Sequence, residues 1–321
     1  TDIMYRPETE LCFPQLLNTS CVRSNRPYVE AMLTYVLLLS VTLLTAFLNL
    51  LVIISISHFK QLHTPTNLLI LSLAVSDFFL GLLLLFQIML IDGCWFLGDL
   101  MCAVYQCVAY IISFSSVGAM VLISVDRHVA ICDPLLKTWV CLCWMLSAIF
   151  QSLILKDNLE QPGRYNSCFG ECVFVINHIA GFADLLFSFI VPIIVIVVLY
   201  MRVFVVAVLQ ARAMRSHTAA VTLQGSKKIK AKKSELKAAR TLGVVVAVFI
   251  ICLCPYYCVA LTSKDDLMNA SSAAFVISLY YFNAVLNPLI YVSLYSWFRK
   301  SIKLILTLKI LQPESCKSNI L

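Results

Sequence analysis

The chain has 321 residues, 61% of them hydrophobic and 13% charged, against about 45–50% and about 25% in ordinary soluble chains. A mean hydropathy of +0.90 excludes a soluble globular enzyme or a disordered chain, and the formal charge of +7 must be explained by where the basic residues fall. A membrane span needs about 20 mostly apolar residues. In chain order seven stretches qualify: 33–57, 66–90, 101–131, 139–155, 174–207, 238–262 and 272–296. They predict an all-α membrane protein. A seven-helix bundle (33–297) follows a leading segment (1–32) and precedes a short amphipathic helix and tail (298–321).

Seven spans put the two ends on opposite sides of the bilayer, and loops rich in Lys and Arg stay in the cytoplasm. With the N-terminus outside, only Arg6, Arg23, Arg26, Lys156, Arg164 and Lys264 are external, 6 of the 24 basic residues. The densest cluster, GSKKIKAKKSELKAAR (225–240), then lies in the loop after span five. Topology and anionic lipid account for that cluster better than nucleic acid does. The first residues show no basic and apolar signal peptide, so span one is expected to direct insertion. Asn18 in NTS and Asn269 in NAS match the glycosylation pattern and fall in segments assigned outside.

Of the 14 cysteines, Cys12, Cys21, Cys94, Cys102, Cys168 and Cys172 are external, where disulfides persist. CFGEC (168–172) can also be read as half of a metal site, but no second Cys or His cluster supplies the other ligands. No metal and no cofactor is expected, and no nucleophile and base pair suggests an enzyme.

Polar residues recur inside the spans. Asn49 stands in span one, Asp77 in span two, and Asn283, Asn287 and Pro288 in span seven. They read either as helix-to-helix hydrogen bonds or as a sodium or water site. Asp126, Arg127 and His128 close span three. Asp184, in GFADLLFSFIVP, is the hardest to place, because a carboxylate in mid-bilayer costs roughly 3 to more than 10 kcal/mol and usually marks a ligand or pathway.

The asparagine of span one, LAVSD, DRH, CLCP and NPLIY occur in the right spans and order, and the chain resembles the rhodopsin-like G-protein-coupled receptors over essentially its whole length. LHTPTNLLILSLAVSDFFLG, CWFLGDLMC, SCFGEC and NPLIYVSLYSWFRKSIK narrow the resemblance to the trace amine-associated receptors. It implies a plasma-membrane olfactory receptor for volatile amines, coupled through a stimulatory heterotrimeric G protein to cyclic AMP. It also implies disulfides Cys102–Cys172 and Cys168 to an N-terminal cysteine, Cys21 rather than Cys12. The switch residues it implies are Asp126, Arg127, Tyr200, Leu253, Pro255, Asn287, Pro288 and Tyr291.

In aminergic relatives the ligand ammonium meets an aspartate eighteen positions before the DRH arginine, and here that position is Ala109. Asp184 resembles the arrangement of a fish-rich branch of the family, with the amine-binding aspartate in span five. About ten residues into its predicted helix, it would lie roughly 12–15 Å deep. Tyr256, Tyr257 and Tyr281 are expected to face the same cavity, with Ala109, Tyr110 and Ser113 on the span-three wall. One acid favours a monoamine over a diamine.

Three departures stand out. Leu253 replaces the tryptophan of span six, which is expected to remove aromatic bulk under the ligand, and His128 replaces a tyrosine. The stretch after span three is about ten residues short, leaving Cys132–Lys137 as the second inner connection. Six residues can join two antiparallel helices but cannot build the short helix that meets the G protein. The alternatives are therefore a receptor-shaped protein with impaired coupling and, from another class, a small-molecule transporter.

Overall fold

The computed structural model describes residues 10–23, 27–129, 136–217, 243–244, 246–258, 270–312 and 315–317. Its main helices are α1 (Tyr28–His58), α2 (Pro65–Asp92), α3 (Gly98–Val129) and α4 (Leu136–Ile154), followed by a short α5 (Lys156–Glu160). One rod follows, made of α6 (His178–Leu185), a π-helical turn (Leu186–Ile190) and α7 (Val191–His217). Then come α8 (Val246–Cys258), α9 (Ala270–Leu294) and the amphipathic α10 (Ser296–Leu306). Six of the described helices are long and apolar enough to cross a membrane, and α8 is a shorter apolar helix in the position of span six. The basic cluster 225–240, Asn269 and the residues 130–135 between α3 and α4 lie outside the described residues.

Helix ends follow their local chemistry. Thr64 accepts from the Asn67 N–H at 3.3 Å and Pro65 opens α2, where its missing N–H costs nothing. Gly93 ends that helix at φ 73°, a left-handed position that glycine adopts without strain. The rod of span five starts at His178, not at 174. Val175 is held in extended chain by the Asn158 side chain, which donates to its carbonyl at 2.8 Å and accepts from its N–H at 3.3 Å. Asn177 then caps the helix by accepting from Ala180 N–H at 2.8 Å. Asp184 is consequently six residues past the helix start, about 9 Å along the axis rather than the expected 12–15 Å.

The helices pack as a bundle: α1 on α2 and α9, and α3 on α2, α4 and α7. Small residues let backbones approach, as lipid-embedded helices require. A Cβ on Gly81 would lie 2.7 Å from Thr45 Cγ2, and one on Gly118 would collide with Cys143 Sγ. One core gathers Leu73, Met120, Phe249, Leu253 and Tyr291 with Trp297 and Phe298 of α10. A second joins Leu38, Leu84, Ile112 and Tyr281 nearer the other end.

Pro288 lies inside α9 and leaves the carbonyl of Ala284 without its helical donor. Asn49 Nδ2 donates to that oxygen at 2.9 Å and to Thr45 O at 2.9 Å. The amide of span one therefore serves the proline of span seven.

Three disulfides seal one end: Cys12–Cys94, Cys21–Cys168 and Cys102–Cys172. The second and third are the pairings the family resemblance implies, whereas the first had no expected partner. With Cys21 and Cys168 joined, nearby Glu171 has no thiolate with which to share a metal, and its Oε2 instead accepts from Ser167 N and Oγ at 2.6 and 2.8 Å. Residues 10–23 form a cap over this end. Phe13 packs on Phe96 and Phe169, with ring centroids 5.4 and 4.8 Å apart.

Candidate ligand-binding site

Below the cap lies a cavity of about 650 Å³, within the range of small-molecule sites. Span three contributes Ala109, Tyr110 and Ser113, the rod of span five contributes Asp184 and Ser188, α8 contributes Tyr256 and Tyr257, and α9 contributes Tyr281. Every ligand-contacting residue expected from the sequence thus borders one cavity. Tyr280, Gln151, Phe114 and Gln87 line it as well and were not expected. Tyr280 adjoins an expected tyrosine, so its neighbour was the available signal. Gln151 and Gln87 show no such signal.

Asp184 is the only carboxylate among the described residues lining the cavity. Its Oδ1 accepts from Gln151 Nε2 at 2.8 Å and from Ser188 Oγ at 2.6 Å. Asp184 is therefore hydrogen-bonded to the neighbouring helix α4. Both bonds fall on the same oxygen. Among the described residues no Lys, Arg or His side chain forms an ion pair with Asp184. The π-helical turn starts two residues after Asp184 and contains Ser188, so the hydroxyl and the carboxylate meet on one side of the rod.

Across the cavity the aromatic rings form a chain. Phe189 stacks on Tyr257 at 4.2 Å and 19°, Tyr257 meets Tyr256 at 5.3 Å, Tyr256 meets Tyr280 at 5.0 Å, and Tyr280 meets Tyr281 at 5.5 Å. Leu253, one turn from Tyr257, is buried in the core and does not line the cavity. With leucine at 253 the cavity still has an aromatic wall, formed by Tyr256 and Tyr257 of α8 and Tyr280 and Tyr281 of α9.

Deeper in the bundle, Asn287 Nδ2 donates to Asp77 Oδ2 at 2.8 Å. Asp77 Oδ1, Asn283 Oδ1 and Asn287 Oδ1 are buried and have no hydrogen-bond partner among the described residues. Buried oxygens of this kind suit a small cation or water. Asp126 accepts from Thr66 Oγ1 at 2.8 Å. Tyr291 is 1% exposed, Tyr200 is partly buried, and Pro255 lies inside α8. Arg127 lies in α3, with its side chain outside the described residues.

The sequence pattern described as "7 transmembrane receptor (rhodopsin family)" matches residues 48–291. Trace amine-associated receptor 4 of Rattus norvegicus is 33% identical over 344 residues, covering 99% of this chain and 97% of that protein. This chain belongs to the trace amine-associated receptors. Receptor 13c of Danio rerio is 35% identical over 334 residues, with 97% and 96% covered, and receptor 5 of Homo sapiens is 34% identical over 329 residues, with 96% and 95% covered. The family is one of multi-pass membrane receptors, not of enzymes. The rat alignment is longer than this chain, as it must be where segments of the relative have no counterpart here.

Proposed function

We propose that this trace amine-associated receptor binds the ammonium group of a small amine at Asp184. The observation that carries this reading is a lone carboxylate in a largely aromatic and neutral polar cavity, with Oδ2 unengaged by any of the described residues and Ala109 at the position that usually bears the counter-ion. A charged group in a bundle interior needs a partner of opposite sign. An ammonium from outside provides it, and the rings of Tyr256, Tyr257 and Tyr281 add roughly 0.5–2 kcal/mol of cation–π attraction. A volatile monoamine fits one acid, and the span-five aspartate matches the fish-type branch of the family.

On this reading the receptor sits in the plasma membrane with its N-terminus outside, and exposed Asn18 carries glycan, as does Asn269. Arg127, Tyr200 and Tyr291 form the switch toward a stimulatory G protein, with Asp126, Leu253, Pro255, Asn287 and Pro288 shaping the helices that move. Asp77, with Asn283 and Asn49 beside it, holds sodium or water. The six residues between Val129 and Leu136 favour a second reading, a receptor that binds its amine but couples weakly.

Cyclic AMP measured in cells exposed to an amine panel separates these readings. Wild type responds, and Asp184→Asn at equal surface level loses potency by a hundredfold or more, on the order expected for removing a charge partner. Equal potency in both would sink the Asp184 assignment. Amine binding without cyclic AMP supports the weakly coupling reading, and net amine uptake would support a transporter.

A further inference from the structure

Nothing in the sequence pattern singles out Gln151. It lies near the end of α4, between Leu146, Ile149 and Leu153, which are exposed on the lipid side. Yet the side chain is 1% exposed, and its Nε2 donates to Asp184 Oδ1 at 2.8 Å and lies 3.4 Å from Ser188 Oγ. Its own Oε1 is buried and has no partner among the described residues. The amide is placed to suit Asp184 at the expense of half its own hydrogen bonding, a pattern that needs a reason beyond packing.

We propose that Gln151 is a positioning residue of the amine site: together with Ser188 it holds Oδ1 of Asp184, so that Oδ2 alone meets the ligand and the cavity recognises one ammonium group. This inference rests on the amine reading of Asp184. A carboxylate oxygen has about two lone-pair directions, and on Oδ1 both are occupied, by Gln151 and by Ser188. Two neutral donors keep the carboxylate oriented before any cation arrives, so ligand binding needs no reorientation. A neutral amide at 151 also limits the cavity to a single negative charge. Glutamate there would remove the donor and add a second anion.

The test uses the full-length receptor in cells, with surface level measured and a panel of primary monoamines and short diamines applied. Gln151→Leu is expected to raise the monoamine EC50 roughly 10- to 100-fold, as for losing a hydrogen bond to a charged group, with the maximal response kept. Ser188→Ala shifts it in the same direction. Gln151→Glu loses monoamine potency and gains diamine potency, which a purely structural role would not produce. An independent readout is the infrared spectrum of the purified receptor. Subtracting Asp184→Asn from wild type isolates the Asp184 carboxylate bands, and the same subtraction in the Gln151→Leu background moves them.

Unchanged EC50 in Gln151→Leu and Ser188→Ala, with unmoved carboxylate bands, overturns the proposal while the amine reading stands if Asp184→Asn abolishes the response. Wild-type potency in Asp184→Asn, or a wild-type receptor whose signal and thermal midpoint ignore every amine of the panel, overturns both.

Discussion

Asn49 and Asp184 are both polar side chains in apolar helices, yet they answer different needs. Asn49 Nδ2 satisfies the Ala284 carbonyl that Pro288 leaves open, a structural task that needs no amine. Asn49→Ala should therefore lower the thermal midpoint, by an amount corresponding to about 1–2 kcal/mol, while amine EC50 stays at the wild-type value. A changed EC50 with an unchanged midpoint would reverse that assignment. Leu253→Trp has the opposite logic. Leu253 is 4% exposed among Phe249, Tyr257 and their neighbours, so an indole there overpacks the core and costs roughly 1–3 kcal/mol, read as a lower midpoint and lower surface level. A receptor that gains both would show that the core holds room for the indole. At this scale legibility depends on contrast. Asp184 stands out because a charge in hydrocarbon has no bland company, and Ala109 emerges by counting back from Arg127. Gln151 offers no contrast in sequence, since an amide near the end of a short span reads as membrane border, and only the relative rotation of α4 and the rod of span five brings it to Asp184.

Elements were legible where composition alone decides them and obscure where pairing does. The apolar runs located spans one to four and seven to within about five residues of the helices, but Asn158 and Asn177 delay the start of span five, its helix continues ten residues past the expected end at 207 to His217, and no periodicity announces a π-helical turn. Cysteine arithmetic had more to offer. Of the six cysteines expected outside, four were paired by resemblance, and the remaining Cys12 and Cys94 are joined in the structure. That bond spans 82 positions, and removing a bridge of such span costs typically about 2–4 kcal/mol. Cys12→Ser with Cys94→Ser should accordingly lower the midpoint and raise protease cleavage within residues 10–23, with the other two disulfides intact by mass spectrometry. Cleavage unchanged from wild type would mean that Phe13 and the Cys21–Cys168 bridge suffice to hold the cap. Between α3 and α4 the close approach is set by Gly118. Gly118→Leu forces its side chain onto Cys143 and should abolish surface expression, whereas Gly81→Ala, which adds a single carbon against Thr45 Cγ2 and Cβ, should be the milder change.

For the whole molecule the decisive quantity is the connection between α3 and α4, six residues from Val129 to Leu136. Ala109 in the cavity wall and Val129 at the far end of α3 are twenty residues apart, about 30 Å along the axis. A change at the connection therefore touches no atom of the amine site. Replacing residues 130–135 with a connection about ten residues longer, the length the family resemblance implies, should leave amine affinity unchanged in purified receptor without G protein. The maximal cyclic AMP response in cells should rise. Linkage adds a stricter requirement. If the longer connection tightens G-protein binding to the amine-bound receptor more than to the free receptor, then G protein must tighten amine binding by that same extra factor. The graft should consequently show a larger gain in amine affinity on adding stimulatory G protein than wild type does. Equal gains, with an equal maximal response, would mean that six residues already suffice for coupling and that transmission from Asp184 to the G protein runs through the inner ends of spans five and six instead.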